Sequence, residues 1–298
     1  MKNLKGNLIL TLTAFIWGTA FVAQSTGVEH IGPLTFNGIR SFLGVLALLP
    51  VIFIMSRKKK DTGSRHDLLV GGLICGIVFT IASTLQQIGL MYTEPGKAGF
   101  ITALYIVIVP IIQSFTGKKL HFNVIIAVAV ATVGMYLLCI GESFTISKGD
   151  FLILLCAIFF SFHILVIDKY SPKTNGVKLS AMQFLVAGVL CCVLAIPFET
   201  QDISKILDAS GALLYTGILS SGVAYTLQII GQKYTSPVLA TIIMSLESVF
   251  AALAGWVVLK DVMSAKEIIG ALLMFAAIIT AQLPEELFSR IFRKKKQD

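Results

Sequence analysis

The feature that most limits what this chain can fold into is a run such as residues 122–141, FNVIIAVAVATVGMYLLCIG, whose only ionisable side chains are Tyr136 and Cys139. Crossing a hydrocarbon core of about 30 Å at about 1.5 Å per residue takes about 20 apolar residues in a helix. Ten runs of that size lie between charged or turn-forming breaks, approximately 6–26, 33–55, 68–91, 97–115, 122–140, 149–167, 179–198, 211–232, 237–259 and 266–283. The connections are short, so the expected fold is an all-α integral membrane protein of ten transmembrane helices. Composition agrees: 56% of the 298 residues are apolar and 13% are charged, against roughly 45–50% and 25% in soluble domains. A water-soluble enzyme, a disordered chain and a disulfide scaffold are poor readings of such a sequence. The first run is too long for a signal peptide, lacks a small-residue cleavage pattern and leads into further spans. It is therefore expected to stay in the mature chain.

A net charge of +8 would suit nucleic acid if the basic residues formed one patch. Instead they sit in short clusters between apolar runs, as at the ends of membrane spans, so no nucleic-acid partner is expected. The N-terminus, the even-numbered connections and the C-terminus hold 18 lysines and arginines, among them Lys2, Lys5, Arg57, Lys58, Lys118, Lys119, Lys173 and the tail RIFRKKK. The opposite connections hold only Lys97, Lys148, Lys205, Lys260 and Lys266. Basic residues are retained on the cytoplasmic side, which puts both termini there. The five cysteines all fall within apolar spans and none forms a C-x-x-C pair, so they read as small buried hydrophobes. His30, His66, His121 and His163 are scattered and make no metal-ligand cluster.

An internal repeat organises the runs. Leu85-Gln86-Gln87-Ile88-Gly89 through Pro95 recurs as Leu227-Gln228-Ile229-Ile230-Gly231 through Pro237, an offset of 142. At an offset of 143, Gly6 falls on Gly149, Leu12 on Leu155, Ala14 on Ala157 and Trp17 on Phe160. The chain reads as a duplicated five-span unit, residues 1–145 and 146–298. Five is odd, so the second copy begins on the opposite side of the membrane and the two repeats are inverted. Inverted repeats provide alternating access: exchanging the packings of the two halves moves the mouth of a central cavity from one face to the other.

Trp17-Gly18-Thr19-Ala20-Phe21 in the first run resembles the W-G-x-x-F signature of EamA-type members of the drug/metabolite transporter superfamily. The segment from Ser245-Leu246-Glu247 to Trp256, followed by Gly270-Ala271-Leu272-Leu273, is similar to that family's ninth and tenth spans, and Arg40 matches the arginine often found in its second. Ser248 stands where the family usually has proline, and Lys118-Lys119 where it has Gly-Glu. The resemblance implies a ten-helix secondary transporter. Such proteins commonly export amino acids or other small metabolites across a bacterial cytoplasmic membrane.

The residues offer their own candidates. A charge at the centre of a span costs about 2.5–3.5 kcal/mol on insertion scales, so it should face a cavity or a partner. Only Arg40 and Glu247 lie well inside spans, and the repeat pairs them with Gln183 and Tyr105. Arg40 is suited to a substrate carboxylate by its two matched donors, or else to helix-end carbonyls. Glu247 is suited to an amine or a coupling proton, or else to Arg40 or nearby hydroxyls. Helical spacing adds polar stripes: Thr13, Trp17, Ala20 and Gln24 in run 1; Thr80, Thr84, Gln87 and Met91 in run 3; Ser221, Tyr225, Gln228 and Gln232 in run 8. They either line a pathway or bond between helices. His163 is either a proton shuttle or a neighbour's partner. The expected pathway set is thus Trp17, Arg40, Gln87, Tyr105, His163, Gln183, Tyr225, Gln228 and Glu247, with a small-molecule substrate and the bilayer as partners. No catalytic residue, metal or cofactor is expected, and no phosphate-binding Gly-x-x-x-x-Gly-Lys-Ser/Thr is present to use ATP. A membrane enzyme acting on lipid-linked groups and an uncoupled facilitator or channel are the alternatives. Proton coupling, direction and a homodimeric state are open at this level.

Overall fold

The computed structural model describes residues 2–58, 63–93, 95–117, 122–139, 147–259 and 264–283. Lys118-Lys119, His121, Lys260 and the basic tail lie outside the described residues. Among the described residues all regular structure is helical.

The apolar runs become helices in order. The first three are α1 (Lys2–His30), α2 (Pro33–Lys58) and α3 (Arg65–Gly89). Run 4 is divided into α4 (Pro95–Thr102) and α5 (Tyr105–Phe115); α6 (Phe122–Cys139) completes the first half. The second half has α7 (Lys148–Tyr170) and α8 (Gly176–Phe198), then the short α9 (Ile203–Asp208). Run 8 is built from α10 (Ser210–Leu214), a π-helical stretch Tyr215–Ala224 and α11 (Tyr225–Gln232). Run 9 is divided into α12 (Pro237–Met244) and α13 (Glu247–Leu259), and α14 (Ala265–Gln282) is last. By length and composition seven spans are long and apolar enough to cross a membrane, and the shorter apolar helices at Phe122–Leu137, Pro237–Ala251 and Ile268–Ala281 supply the other three. The chain is a ten-helix membrane protein. Its polar groups turn inward, with Gln87, His163 and Gln183 fully buried, while Phe53, Val193 and Leu272 are exposed on the outside. That is the arrangement hydrocarbon requires.

Runs 4 and 9 read as continuous spans, and the structure breaks both. Leu104 N–H donates to Ile101 O at 3.2 Å and Leu246 N–H to Ile243 O at 3.2 Å. These i→i−3 bonds tighten the turn where an α-helix would use i→i−4. Neither break holds a proline or a glycine, which is why hydropathy alone does not reveal them. They fall at equivalent places in the two repeats. Each leaves the next residue, Tyr105 or Glu247, on the first turn of a half-helix inside the protein.

The packing obeys the two-fold relation of the repeats. α1 lies against α12, α13 and α11, and its counterpart α7 lies against α4, α5 and α3. α2 packs on run 8 as α8 packs on α3, while the pairs α2 with α8 and α6 with α14 meet across the axis. The closest crossings are held open by glycine. A Cβ added at Gly217 would come within 2.6 Å of the Leu43 Cβ and 3.1 Å of the Arg40 carbonyl. One added at Gly76, where α3 meets α8 as run 8 meets α2, would meet the Val186 Cβ at 2.5 Å and the Gln183 carbonyl at 2.8 Å. Val186 is the repeat partner of Leu43, so the same interlock is made twice.

Candidate functional site

The half-helices α5 and α13 start beside one another, and Tyr105 Oη donates to Glu247 Oε1 at 2.8 Å. Residues that the repeat makes equivalent therefore meet on the axis. Around them lies a cavity whose envelope, including space open to solvent, is about 440 Å³. Its walls come in repeat pairs: Trp17 with Phe160, Phe21 with Ile164, Gln86 with Gln228, and Tyr105 with Glu247. Discontinuous helices meeting at an inverted-repeat axis are where transporters of this architecture bind solute.

The pairing is incomplete, and one of the unmatched groups is cationic. Arg40 and its neighbour Gln24 line the cavity, whereas Gln183, the repeat partner of Arg40, does not. Arg40 is 2% exposed and Glu247 is 3% exposed. Arg40 is held by donation from Nη1 to Gln24 Oε1 at 2.7 Å and by the rings of Phe36 and Phe79, at 5.8 and 5.9 Å from its guanidinium carbon. Cation–π contact of that kind steadies a cation without neutralising it. No ion pair joins Arg40 to Glu247. The internal salt bridge weighed from the sequence is thus not formed, and two opposite charges face one cavity unpaired with each other.

Unmet hydrogen-bonding groups stand in the same walls. Arg40 Nε, Trp17 Nε1 and the side-chain oxygen Oε1 of Gln228 are buried without partners. The Trp17 and Tyr225 rings pack at 4.6 Å, giving one wall an aromatic face. Glu247 sits at the N-terminal turn of α13, where the helix dipole favours a carboxylate. Together these groups supply hydrogen-bond donors, acceptors and apolar surface to one cavity.

Of the nine expected pathway residues, Trp17, Arg40, Tyr105, Tyr225, Gln228 and Glu247 line this cavity. His163 and Gln183 lie behind it, bonded to each other at 2.9 Å, with the His163 ring against the lining rings of Phe160 and Tyr225. Gln87 also lies behind the wall, donating to the Gln24 backbone carbonyl at 3.0 Å. Its neighbour Gln86 lines the cavity instead and donates to Thr102 Oγ1 at 3.1 Å. In run 8 the lining serine is Ser220 rather than Ser221, because the i→i+5 bonding that ends with Tyr225 N–H on Ser220 O shifts the face by a residue. The repeat offset was the signal that could have found Gln86, as the partner of Gln228, and Phe160, as the partner of Trp17.

The profile of the EamA-like transporter family matches the chain twice, over residues 4–140 and 147–281. The chain belongs to the EamA-like transporter family. An uncharacterized transporter of Archaeoglobus fulgidus is 34% identical over 284 residues, covering 95% of this chain and 87% of its own length. The uncharacterized transporter YoaV of Bacillus subtilis is 23% identical over 288 residues, 93% of this chain and 96% of its own. One solved crystal structure superposes with a TM-score of 0.76 at 18% identity, covering 96% of this chain and 98% of the other, and so shares the fold. This EamA-like transporter is a multi-pass membrane protein, with the bilayer and a small-molecule solute as partners. The names of its family and relatives denote transporters rather than enzymes.

Proposed function

We propose that this EamA-like transporter is a secondary transporter that exports an amino acid or a related amphipathic solute by alternating access across the cytoplasmic membrane of a prokaryote. Both termini are cytoplasmic in this reading, and the moving halves are residues 1–145 and 146–298. One observation carries it: Arg40 and Glu247, buried and unpaired with each other, face a single cavity on the repeat axis. A solute bearing both charges satisfies both walls. Its carboxylate seats on the free Nε edge of Arg40, and its ammonium on Glu247 and the Gln228 side-chain oxygen. A side chain of the solute then lies against Phe21, Phe160 and Tyr225.

In alternating access the solute is loaded and released as the half-helices part. Rocking α4–α5 and α12–α13 about the breaks at 103–104 and 245–246 opens one mouth as it shuts the other. Glu247 is the group placed to carry a coupling proton, since the ammonium and the proton compete for one carboxylate.

The test is counterflow in proteoliposomes with a panel of amino acids, amines and nucleosides, with and without a proton gradient. Saturable counterflow of zwitterions supports the carrier. Flux that never saturates supports a channel, and lipid turnover without solute flux supports an enzyme.

A further inference from the structure

The two ends of the cavity are related by the repeat, so a difference between them is a difference in how firmly each is shut. At one end the α3–α4 connection is bound to the start of α7. Lys97 Nζ pairs with Asp150 Oδ2 at 2.6 Å, Thr93 Oγ1 donates to Asp150 Oδ1 at 2.5 Å, and Ser147 N–H donates to Oδ2 at 2.7 Å. At the other end the equivalents of Asp150, Thr93 and Lys97 are Asn7, Thr235 and Leu239. There Thr235 Oγ1 reaches Asn7 Oδ1 at 3.5 Å, and Leu239 carries no charge to pair.

The surroundings are otherwise alike. A Cβ on Gly149 would meet the Gly89 carbonyl at 2.7 Å, and one on Gly6 would meet the Gly231 carbonyl at 3.1 Å. Lys148 lies 5.2 Å over the Tyr92 ring, and its partner Lys5 lies 5.7 Å over Tyr234. Each end also has a charge-assisted tie at a place the repeat does not match. The Glu199 carboxylate accepts from Leu34 and Thr35 N–H at 2.8 and 2.7 Å at the first end, and Lys233 Nζ donates to the Thr174 carbonyl at 2.6 Å at the second. What remains unequal at matched positions is the ion pair against a neutral contact. Charge-assisted bonds are about twice as strong as neutral ones.

We infer that Lys97 and Asp150 form a latch that holds the outer end of the carrier shut more firmly than the inner end, so that the unloaded protein opens preferentially to the cytoplasm. The inference rests on the alternating access and the cytoplasmic termini proposed above, and it supplies a reason for export: the empty site is presented where the solute is made. Asp150 and Lys97 act here as positioning residues, since neither lines the cavity.

The positions that report it are Ala98 and Ala240, repeat equivalents that are each fully buried one residue beyond Lys97 and Leu239. Each is replaced by Cys in a background whose native cysteines are removed, and labelling by a thiol reagent is timed in reconstituted protein. The expected order is faster labelling at Ala240→Cys than at Ala98→Cys. Asp150→Asn should speed labelling at Ala98→Cys by about fivefold or more and slow it at Ala240→Cys. Lys97→Met should do the same by the other half of the pair. Installing the latch at the inner end with Asn7→Asp and Leu239→Lys should slow Ala240→Cys. Unchanged rates at both positions in an Asp150→Asn protein that still performs counterflow would overturn the latch and leave the transport reading standing. If the two rates never move in opposite senses, and no variant performs counterflow, alternating access itself is overturned.

Discussion

Replacing Arg40 by Lys keeps a cation between Phe36 and Phe79 but removes the planar fork. In the structure Nη1 is committed to Gln24 and Nε has no partner, so the edge left for a solute carboxylate is the one containing Nε. A lysine ammonium can still reach Gln24, but it cannot present two parallel donors as well. The expected loss is one hydrogen bond to a charged group, about 1.5–3 kcal/mol, or roughly 10- to 150-fold in affinity. The assay compares a zwitterionic amino acid with its primary amide, which keeps the ammonium and the side chain but has no carboxylate. Binding to purified protein should weaken by that factor for the acid and by less than about threefold for the amide. Equal losses for the two solutes would mean that Arg40 acts by holding α2 and Gln24 in place, and the carboxylate seat would be refuted.

Glu247→Gln preserves the shape that accepts from Tyr105 but cannot bind a proton, so proton-driven accumulation should vanish while solute exchange persists; loss of both together would make the residue structural. Gly217→Val would drive its side chain into Leu43 and the Arg40 carbonyl, and overpacking of this kind costs about 1–3 kcal/mol or more. Its thermal midpoint in detergent should fall, whereas Gly211→Ala, with open space around its Cβ, should be neutral. Single cysteines at the exposed Ser64 and Lys173 should be shielded from an impermeant reagent in intact cells, and one at Asp202 should react. The reverse pattern would invert the topology.

Ten membrane spans are legible in the sequence because burial in hydrocarbon is a one-dimensional demand: each segment must satisfy its own backbone and be apolar over about 20 residues. The repeat is legible for a similar reason, since Gly89 with Gly231 and Gly6 with Gly149 keep their spacing along the chain. From these follow the pairing of Arg40 with Gln183 and of Glu247 with Tyr105. Helical spacing, by contrast, says which residues share a face but not what that face meets. Gln87 and Gln86 are one residue apart, about 100° around the helix, and only the packing of α3 turns Gln86 to the cavity and Gln87 to the Gln24 carbonyl. The breaks after Thr102 and Met244 carry no proline or glycine, so it took the tertiary contacts of α5 and α13 to place Tyr105 and Glu247 in bonding range. Sequence determined that this chain lies in a membrane as two related halves. Tertiary structure decided that Arg40 and Glu247 share a cavity without pairing, and that one end of it is tied by an ion pair, because these pairs lie 207 and 53 positions apart in the chain, where no local rule connects them.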